Sequence, residues 1–531
     1  MKKIGKNVLK ATIILVVVFA FVMPVSAMIN PRDTMTPQYI VNKPLNLLLS
    51  KGPGWVEQAT GFWEPSRGLT FMHAVDENIV WAAAYDGLSP TGPCREFTKT
   101  TNGGEEWYAD IITEIPDDGR IAMIYALDEN TAWVAVHSST PQGIWKTSDG
   151  GSTWVHQDTA VYNSSGSFCN VVHFWDENNG WCQGDPVDGY FEMYTTTDGG
   201  DNWTRVPEEN IPEPLGSGEY GTVGYYDVVG DTVWWGTQYS IDRGRVFKST
   251  DKGYHWTVAD TPFDAGCWVD VRFKDQNNGL AMDKRESTEG IIAETSDGGE
   301  TWTKIEQTGL CYSGDFEFLP GTDNIYVSTG VYANDPVYQG ASFSVDGGHT
   351  WIEWIEVSGI QLFATTWVDG LIGWAGSFTE DEFTGGVYKY TPGYESNLFC
   401  EGELRWEEIS PGSTIQGSFT VLSMGEPGSE LDWEVDEYPE WGDWTFTPSS
   451  GTGLPVGDSV TVEVEVVAPE DKETEFIGEV KLVNSENSED TCNIDVYLLT
   501  PRTKTVNNPF YLKLFERFPN IFLILRNLLG F

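Results

Sequence analysis

Three stretches, 147-TSDGGSTW-154, 196-TTDGGDNW-203 and 295-TSDGGETW-302, are one motif written three times. Three further copies stand at 100-TTNGGEEW-107, 249-STDKGYHW-256 and 344-SVDGGHTW-351, giving the consensus Ser/Thr-x-Asp-x-Gly-x-x-Trp. The six tryptophans are 47, 49, 53, 46 and 49 residues apart, a period that marks a repeat architecture. Each part of the motif has a mechanical reason. The short acid accepts hydrogen bonds from backbone N–H groups of its own turn, and the hydroxyl ties down the same loop. The glycines supply the positive φ of a tight hairpin. The Trp opens the next strand and buries a large ring between units. Asn102 replaces the acid in the first copy and still accepts through its amide oxygen, so the turn is expected to survive. Asn102, Asp149, Asp198, Asp251, Asp297 and Asp346 are therefore structural residues in this reading.

Upstream of the turns runs a second pattern: an apolar strand, an acidic turn, then another apolar strand. It is clearest in 69-LTFMHAVDENIVWAAA-84, 121-IAMIYALDENTAWVAV-136, 170-NVVHFWDENNGWCQG-184 and 269-VDVRFKDQNNGLAM-282. Weaker forms stand at 223-VGYYDVVGDTVWWG-236, 316-FEFLPGTDNIYVSTG-330 and 362-LFATTWVDGLIGWAG-376, one more copy than there are turns. A unit of about 50 residues with four antiparallel strands has the size of a propeller blade. The seventh unit reaches its third strand at 386-GVYKYTPG-393 and has no turn or Trp strand after it. The missing strand stands at the front, in 52-GPGWVEQATG-61, which repeats the pattern of 300-ETWTKIEQTG-309. The expectation is an all-β chain with a seven-bladed β-propeller over 52–398, closed by its own N-terminal strand so that no sheet edge is left open.

The repeats resemble the Asp-box (BNR) repeats of sialidase-like propellers. In the GWA-type second strand and the GVYKY ending they are most similar to the photosystem II assembly-factor-like propeller family. The resemblance covers 52 to about 393 and implies the fold. For function it implies only a range, because such propellers occur in sialidases, other glycoside hydrolases, receptors and non-enzymatic assembly factors. It also implies that the Asp turns lie opposite the ligand mouth, which would be built by loops such as 60-TGFWEPSRG-68, 86-DGLSPTGPCREF-97, 239-YSIDRGR-245 and 283-DKRESTEG-290.

The remaining chain divides by composition. Residues 1–27 read as a signal peptide: Lys2, Lys3, Lys6 and Lys10, then the apolar 11-ATIILVVVFAFVM-23 and a small-residue cleavage site ending at Ala27. Residues 28–51 are a linker. Residues 399–500 carry about seven short alternating stretches, among them 417-GSFTVLSMG-425 and 459-SVTVEVEVV-467, and read as an Ig-like β-sandwich. Residues 501–531 are apolar and basic, five Lys/Arg against Glu516, and read as an amphipathic tail for sorting or peripheral attachment to the cell surface. The chain is thus expected to be secreted or held at the cell surface.

The 531 residues carry a formal charge of −49, which removal of the four leader lysines takes to −53. Such a surface repels nucleic acid and anionic lipid. No cofactor is expected. Calcium is the one cation the acidity brings to mind, and no complete Ca²⁺ loop motif accompanies it. Of seven cysteines, Cys400 and Cys492 flank the sandwich and are the first choice for a disulfide, with Cys267 and Cys311 second.

A sialidase needs arginines for the substrate carboxylate, a Tyr nucleophile with a Glu partner, and an acid/base Asp. The Phe/Tyr-Arg-Ile-Pro signature is absent. Arg67 and Arg120 precede first strands, and Arg95, Arg243 and Arg285 lie on loops between second and third strands, so all five are candidate ligand contacts. Local pairing with neighbouring acids is the alternative. Trp63 and Trp268, with Tyr190 and Tyr239, are candidate stacking residues. The reading is a non-enzymatic protein that binds a protein or glycan through the propeller loops; the alternative is a sialidase-like glycoside hydrolase.

Overall fold

The computed structural model describes residues 54–216, 218–285, 288–391 and 396–501. The expected leader and linker, and the tail after Pro501, lie outside them. The chain separates into two compact units, one up to residue 393 and one from residue 394. Among the described residues, helix is confined to three single 3₁₀ turns, at Glu208–Asn210, Pro336–Tyr338 and Ile355–Val357.

In the first unit, four consecutive strands form one antiparallel sheet, and the pattern repeats along the chain. Sheet 1 is Arg67–Ala74, Val80–Asp86, Glu96–Thr100 and Tyr108–Ile111. Sheet 2 opens with Arg120–Ala126, sheet 3 with Cys169–Phe174, sheet 4 with Tyr220–Val229, sheet 5 with Val269–Phe273 and sheet 6 with Asp315–Phe318. Sheet 7 contains Thr365–Trp367, Gly373–Asp381 and Thr384–Thr391, and its fourth strand is Gly54–Ala59 from the front of the chain. That strand runs antiparallel to the third, from Gly54 opposite Thr391 to Ala59 opposite Gly386. A single bridge between Gly68 and Phe378 joins sheets 7 and 1 into one eight-stranded sheet.

The first strands of successive sheets lie against one another in a closed ring, the last against the first. This is the arrangement of a β-propeller. Its strands are buried on both faces because each sheet packs on two neighbours, and Trp81, Trp133, Trp181, Trp234 and Trp374 of the second strands are fully covered. Lysines stitch neighbouring sheets together. Lys99, Lys146 and Lys389 sit 4.5, 5.0 and 5.1 Å over Trp81, Trp133 and Trp374. Each then donates to a carbonyl of the next sheet: Glu129 at 3.0 Å, Gly199 at 3.0 Å and Gly103 at 2.8 Å.

The repeated turns follow the mechanism their composition implies. The Thr147 hydroxyl donates to Asp149 Oδ1 (2.9 Å) and accepts from the Gly151 N–H (2.9 Å), while Asp149 also accepts from Thr153 N (2.9 Å) and Oγ1 (2.7 Å). Equivalent bonds hold Asp198, Asp251, Asp297 and Asp346. Asn102 accepts from Thr100 Oγ1 (2.9 Å) and Glu106 N (3.0 Å), so the amide does the work of the acid. Hydrogen bonds, first of all from Thr301, hold the Asp297 carboxyl down at about 2.

The second unit is a two-sheet sandwich. One sheet orders Leu398–Glu401, Thr414–Ser423, Ser459–Val467 and Asp443–Thr447; the other orders Leu404–Trp406, Asn487–Leu499, Glu475–Asn484, Glu430–Glu437 and Ser450–Pro455. They enclose Phe419, Val421, Leu431, Trp433, Val464, Leu482 and Ile494. A disulfide joins Cys400 to Cys492 between the sheets, Cα–Cα 6.0 Å. Cys267 and Cys311, the second pairing considered, are separate buried thiols. The boundary expected at residue 398 falls five residues late, because Leu398 already pairs with Ser423 and joins the sandwich core.

Candidate functional site

The loops before first strands and between second and third strands share one end of the propeller, opposite the Asp turns. Each of the five candidate arginines is held by local partners: Arg67, through Glu96, and Arg120, bridged to Cys94, both engage the loop that carries Arg95, whereas Arg243 and Arg285 belong to sheets 4 and 5. Arg67 pairs with Glu96 and, at 3.1 Å, with Asp86. Arg95 contacts Asp117 (3.0 Å) and donates to the Ile115 carbonyl (2.9 Å). Arg120 donates to the Pro90 carbonyl (3.3 Å). Arg243 is held by Asp242 and by Asp260 (2.8 Å). Arg285 contacts Asp283 (2.8 Å) and donates to the Ala265 carbonyl (2.7 Å). Acids of the same sheet or the next loop pair with four of them and a carbonyl holds Arg120, so each guanidinium is engaged before a ligand arrives.

The two candidate tryptophans differ. Trp268 is half-buried, edge-on to Tyr239 at 5.3 Å, with its backbone N–H on Asp283 Oδ1 (3.0 Å), and it packs sheets 4 and 5 together. Trp63 is 57% exposed. It stands at the loop end with Leu88, Ile241, Val337 and Phe383, all exposed, the last at 79%. Beneath those of sheets 6, 7 and 1 lies a small apolar cluster of Tyr85, Val331 and Phe378. Exposed acids stand beside them in sequence: Glu64 next to Trp63, and Glu380, Asp381 and Glu382 before Phe383.

One Tyr–Glu pair has the composition a sialidase would need. Tyr194 donates to Glu192 at 2.8 Å, both on the third strand of sheet 3 and both buried. Burial and the adjacent Glu192 push the Tyr194 phenol up, the opposite of nucleophile activation.

Sequence reasoning missed the charged groups on the first strands. Arg272 of sheet 5 contacts Asp270 at 2.6 Å, Asp315 at 3.3 Å and Glu317 at 2.9 Å. Lys284 reaches Asp270 at 3.4 Å and lies 3.3 Å over the Tyr225 ring. Asp227 of sheet 4 accepts from the Phe273 N–H. Four carboxylates thus face two cations in a space nearly closed to water, and they cannot all ionise freely. Burial pushes Asp227 and Asp315 up, and carries Glu317 up to about 8. The signal was present as charges inside otherwise apolar strands, in 269-VDVRF-273 and 315-DFEF-318.

The axis of the ring is filled. Residues 222–225 form a bulge in sheet 4, where the register jumps from Gly221 to Tyr226. The bulge carries Tyr225 to within 5.9 Å of the Phe71 ring of sheet 1. Gly224 takes φ +73°, and a Cβ there would lie 2.1 Å from Phe71, so only glycine fits. The charged cluster is therefore an internal brace beside a plugged axis.

A groove of about 250 Å³ opens between sheets 5 and 6 on the Asp-turn side, lined by Lys274, Glu294, Asn324, Tyr326 and several hydroxyls. It exists because Leu280 and Glu294 stand opposite one another where other sheets pair a Trp with a stitching Lys. Among the described residues, no group of three or more His, Cys, Asp or Glu is placed to hold a metal ion.

No family model and no curated protein matches the chain. Solved structures do resemble it. YCF48 bound to a D1 peptide aligns over 65% of this chain and 98% of its own, at 16% identity and TM-score 0.44. A GH74 enzyme of Niastella koreensis aligns over 82% of this chain and 80% of its own, at 11% identity and TM-score 0.38. A Trypanosoma rangeli sialidase mutant displaying trans-sialidase activity aligns over 85% and 92%, at 9% identity and TM-score 0.37. Both enzymes and YCF48 thus stand among the structures to which this chain is similar.

Proposed function

We propose that the chain is a secreted or cell-surface, non-enzymatic binding protein. Its seven sheets are the blades of one Asp-box propeller whose loop end holds a protein or glycan partner, and its second unit is an Ig-like module. The observation that carries this reading is the contrast at the loop end. Four of the five arginines are paired with neighbouring acids, while Trp63, Leu88, Ile241, Val337 and Phe383 are left exposed. Exposed apolar side chains gathered at one end of a strongly charged protein favour a broad contact surface over an anion pocket.

The second reading is a sialidase-like glycoside hydrolase, for which the buried Tyr194–Glu192 pair has the composition and lacks the activation. The two are separated by one experiment on the full chain: a glycan array with fluorogenic glycosides, together with capture from cell envelopes. The wild type is compared with a Trp63→Ala/Phe383→Ala variant and an Arg67→Ala/Arg120→Ala variant. Binding without turnover, lost in the aromatic variant and kept in the arginine variant, is the expected result. Turnover abolished by the arginine change would overturn the non-enzymatic reading.

A further inference from the structure

The sandwich unit carries a group of six aromatic side chains at the margin of its core, five of them packed against it while remaining partly exposed. Trp406, Tyr438, Trp441, Trp444, Phe446 and Phe476 gather where the edge strand Asp443–Thr447 meets the end of the facing sheet. Trp441 lies 5.1 Å from Trp444 and 5.4 Å from Phe476, Tyr438 lies 5.5 Å from Phe446, and Trp406 lies 6.3 Å from Trp444. Trp444 and Phe446 stack with an interplanar angle of 11°. The true core tryptophan, Trp433, is 1% exposed, whereas Tyr438 is 52% exposed and the other five rings are only partly covered. The loop before the edge strand passes close over Gly478, where a Cβ would lie 2.7 Å from Pro439. Glycine at that position is what lets Tyr438 and Trp441 lie on the end of the sandwich.

The chemistry of the platform narrows its ligand. All three indole N–H groups are used internally: Trp406 to the Gln416 carbonyl (2.8 Å), Trp441 to the Ile477 carbonyl (3.1 Å) and Trp444 to the Trp441 carbonyl (2.7 Å). The rings therefore offer their faces and edges rather than donors. They touch one another, so no slot remains in which a cation would be surrounded by rings, as an aromatic cage requires. Around them stand exposed Asp436, Glu437, Glu440 and Asp443, which accept hydrogen bonds but repel anions. Lys481 contacts Asp436 at 2.7 Å and Glu437 at 3.6 Å, and Arg405, next to Trp406, contacts Glu407 at 2.7 Å, so these cations are engaged.

We infer that this platform is a binding site for uncharged pyranose glycans. The apolar C–H face of a sugar ring stacks on Tyr438 and Trp441, and its hydroxyls donate to the rim carboxylates. The inference does not rest on the propeller loops; it gives the sandwich a ligand of its own.

The test uses the full chain with a soluble neutral β-glucan and chitohexaose, polygalacturonate as the anionic polymer, and poly-lysine as the cationic one. Tryptophan emission and affinity electrophoresis are read out. A neutral glycan is expected to bind with Kd at or below about 1 mM, and Tyr438→Ala or Trp441→Ala to weaken it about tenfold. Tyr108→Ala, an exposed ring on the fourth strand of sheet 1 and away from the loop end, leaves that binding unchanged. Tyr438 is exposed, so its variant retains the wild-type melting temperature and reports binding alone. Failure of both neutral glycans to bind, unchanged binding in the two variants, equal binding of polygalacturonate, or a response to poly-lysine alone would each overturn the inference.

Discussion

Two halves of the propeller ring solve the same problem differently. In sheets 1 to 3 the first strands bring His73, Tyr125 and His173 together as rings tilted against one another, with centroids 4.4 and 4.7 Å apart. In sheets 4 to 6 the first strands bring Asp227, Arg272 and Glu317 together as an ionic network. The first half keeps its titratable groups neutral: burial pushes His73 down to about 4 and His173 down to about 3. The second half pairs Arg272 and Lys284 with buried carboxyls, one of which, Glu317, burial keeps protonated up to about 8. One repeat can therefore carry either chemistry at its centre, provided that neighbours supply the complement. A neutral ring cluster tolerates the loss of a member as a cavity, whereas an ionic network left without its cation retains several buried charges.

The sharpest way to break the comparison is Arg272→Met. Removing the cation shared by Asp270, Asp315 and Glu317 should cost about 3–5 kcal/mol, the cost typical of a buried pair stripped of one partner. Thermal unfolding followed by tryptophan fluorescence measures it, and a loss no larger than that of a surface substitution would show that the network is relaxed or hydrated.

Next comes pH, where the halves should respond with opposite sign. Glu317 is raised, so its contribution is complete below about 4.5, its ordinary value, and is lost as pH climbs through about 8. His73 and His173 are depressed, so their contribution is complete above about 6.5 and is lost as pH falls toward 4 and 3. Glu317→Gln should remove the loss of stability on the alkaline side, and His73→Phe should reduce the loss on the acid side. Melting temperature against pH for both variants separates the two limbs; identical profiles would remove the distinction between the halves.

The smallest expected effect is Tyr125→Phe. The Tyr125 hydroxyl donates to the Phe174 carbonyl at 2.7 Å, and losing that bond should cost about 1 kcal/mol while the ring cluster remains. A loss comparable with Arg272→Met would mean that the ring half depends on polar contacts as heavily as the ionic half.

By itself the sequence determined what is local or periodic. The turns bond hydroxyls, acids and N–H groups only two to four residues apart, so their composition was enough to read them, Asn102 included. The excess of one strand pair over the number of turns located the strand Gly54–Ala59 in the last sheet, because an unpaired edge must find a partner. Tertiary structure alone decided which side chains meet. Arg272 and Glu317 are 45 residues apart, and Phe71 and Tyr225 come from sheets on different sides of the ring. A four-residue bulge, invisible in an apolar pattern, brings the second pair together. The five arginines appeared as a group in sequence because all sit near the same end of their sheets. They form no free cationic site because neighbouring acids pair with Arg67, Arg95, Arg243 and Arg285 and a backbone carbonyl holds Arg120; in a chain of net charge −49, short-range pairing outcompetes assembly of a shared cationic site.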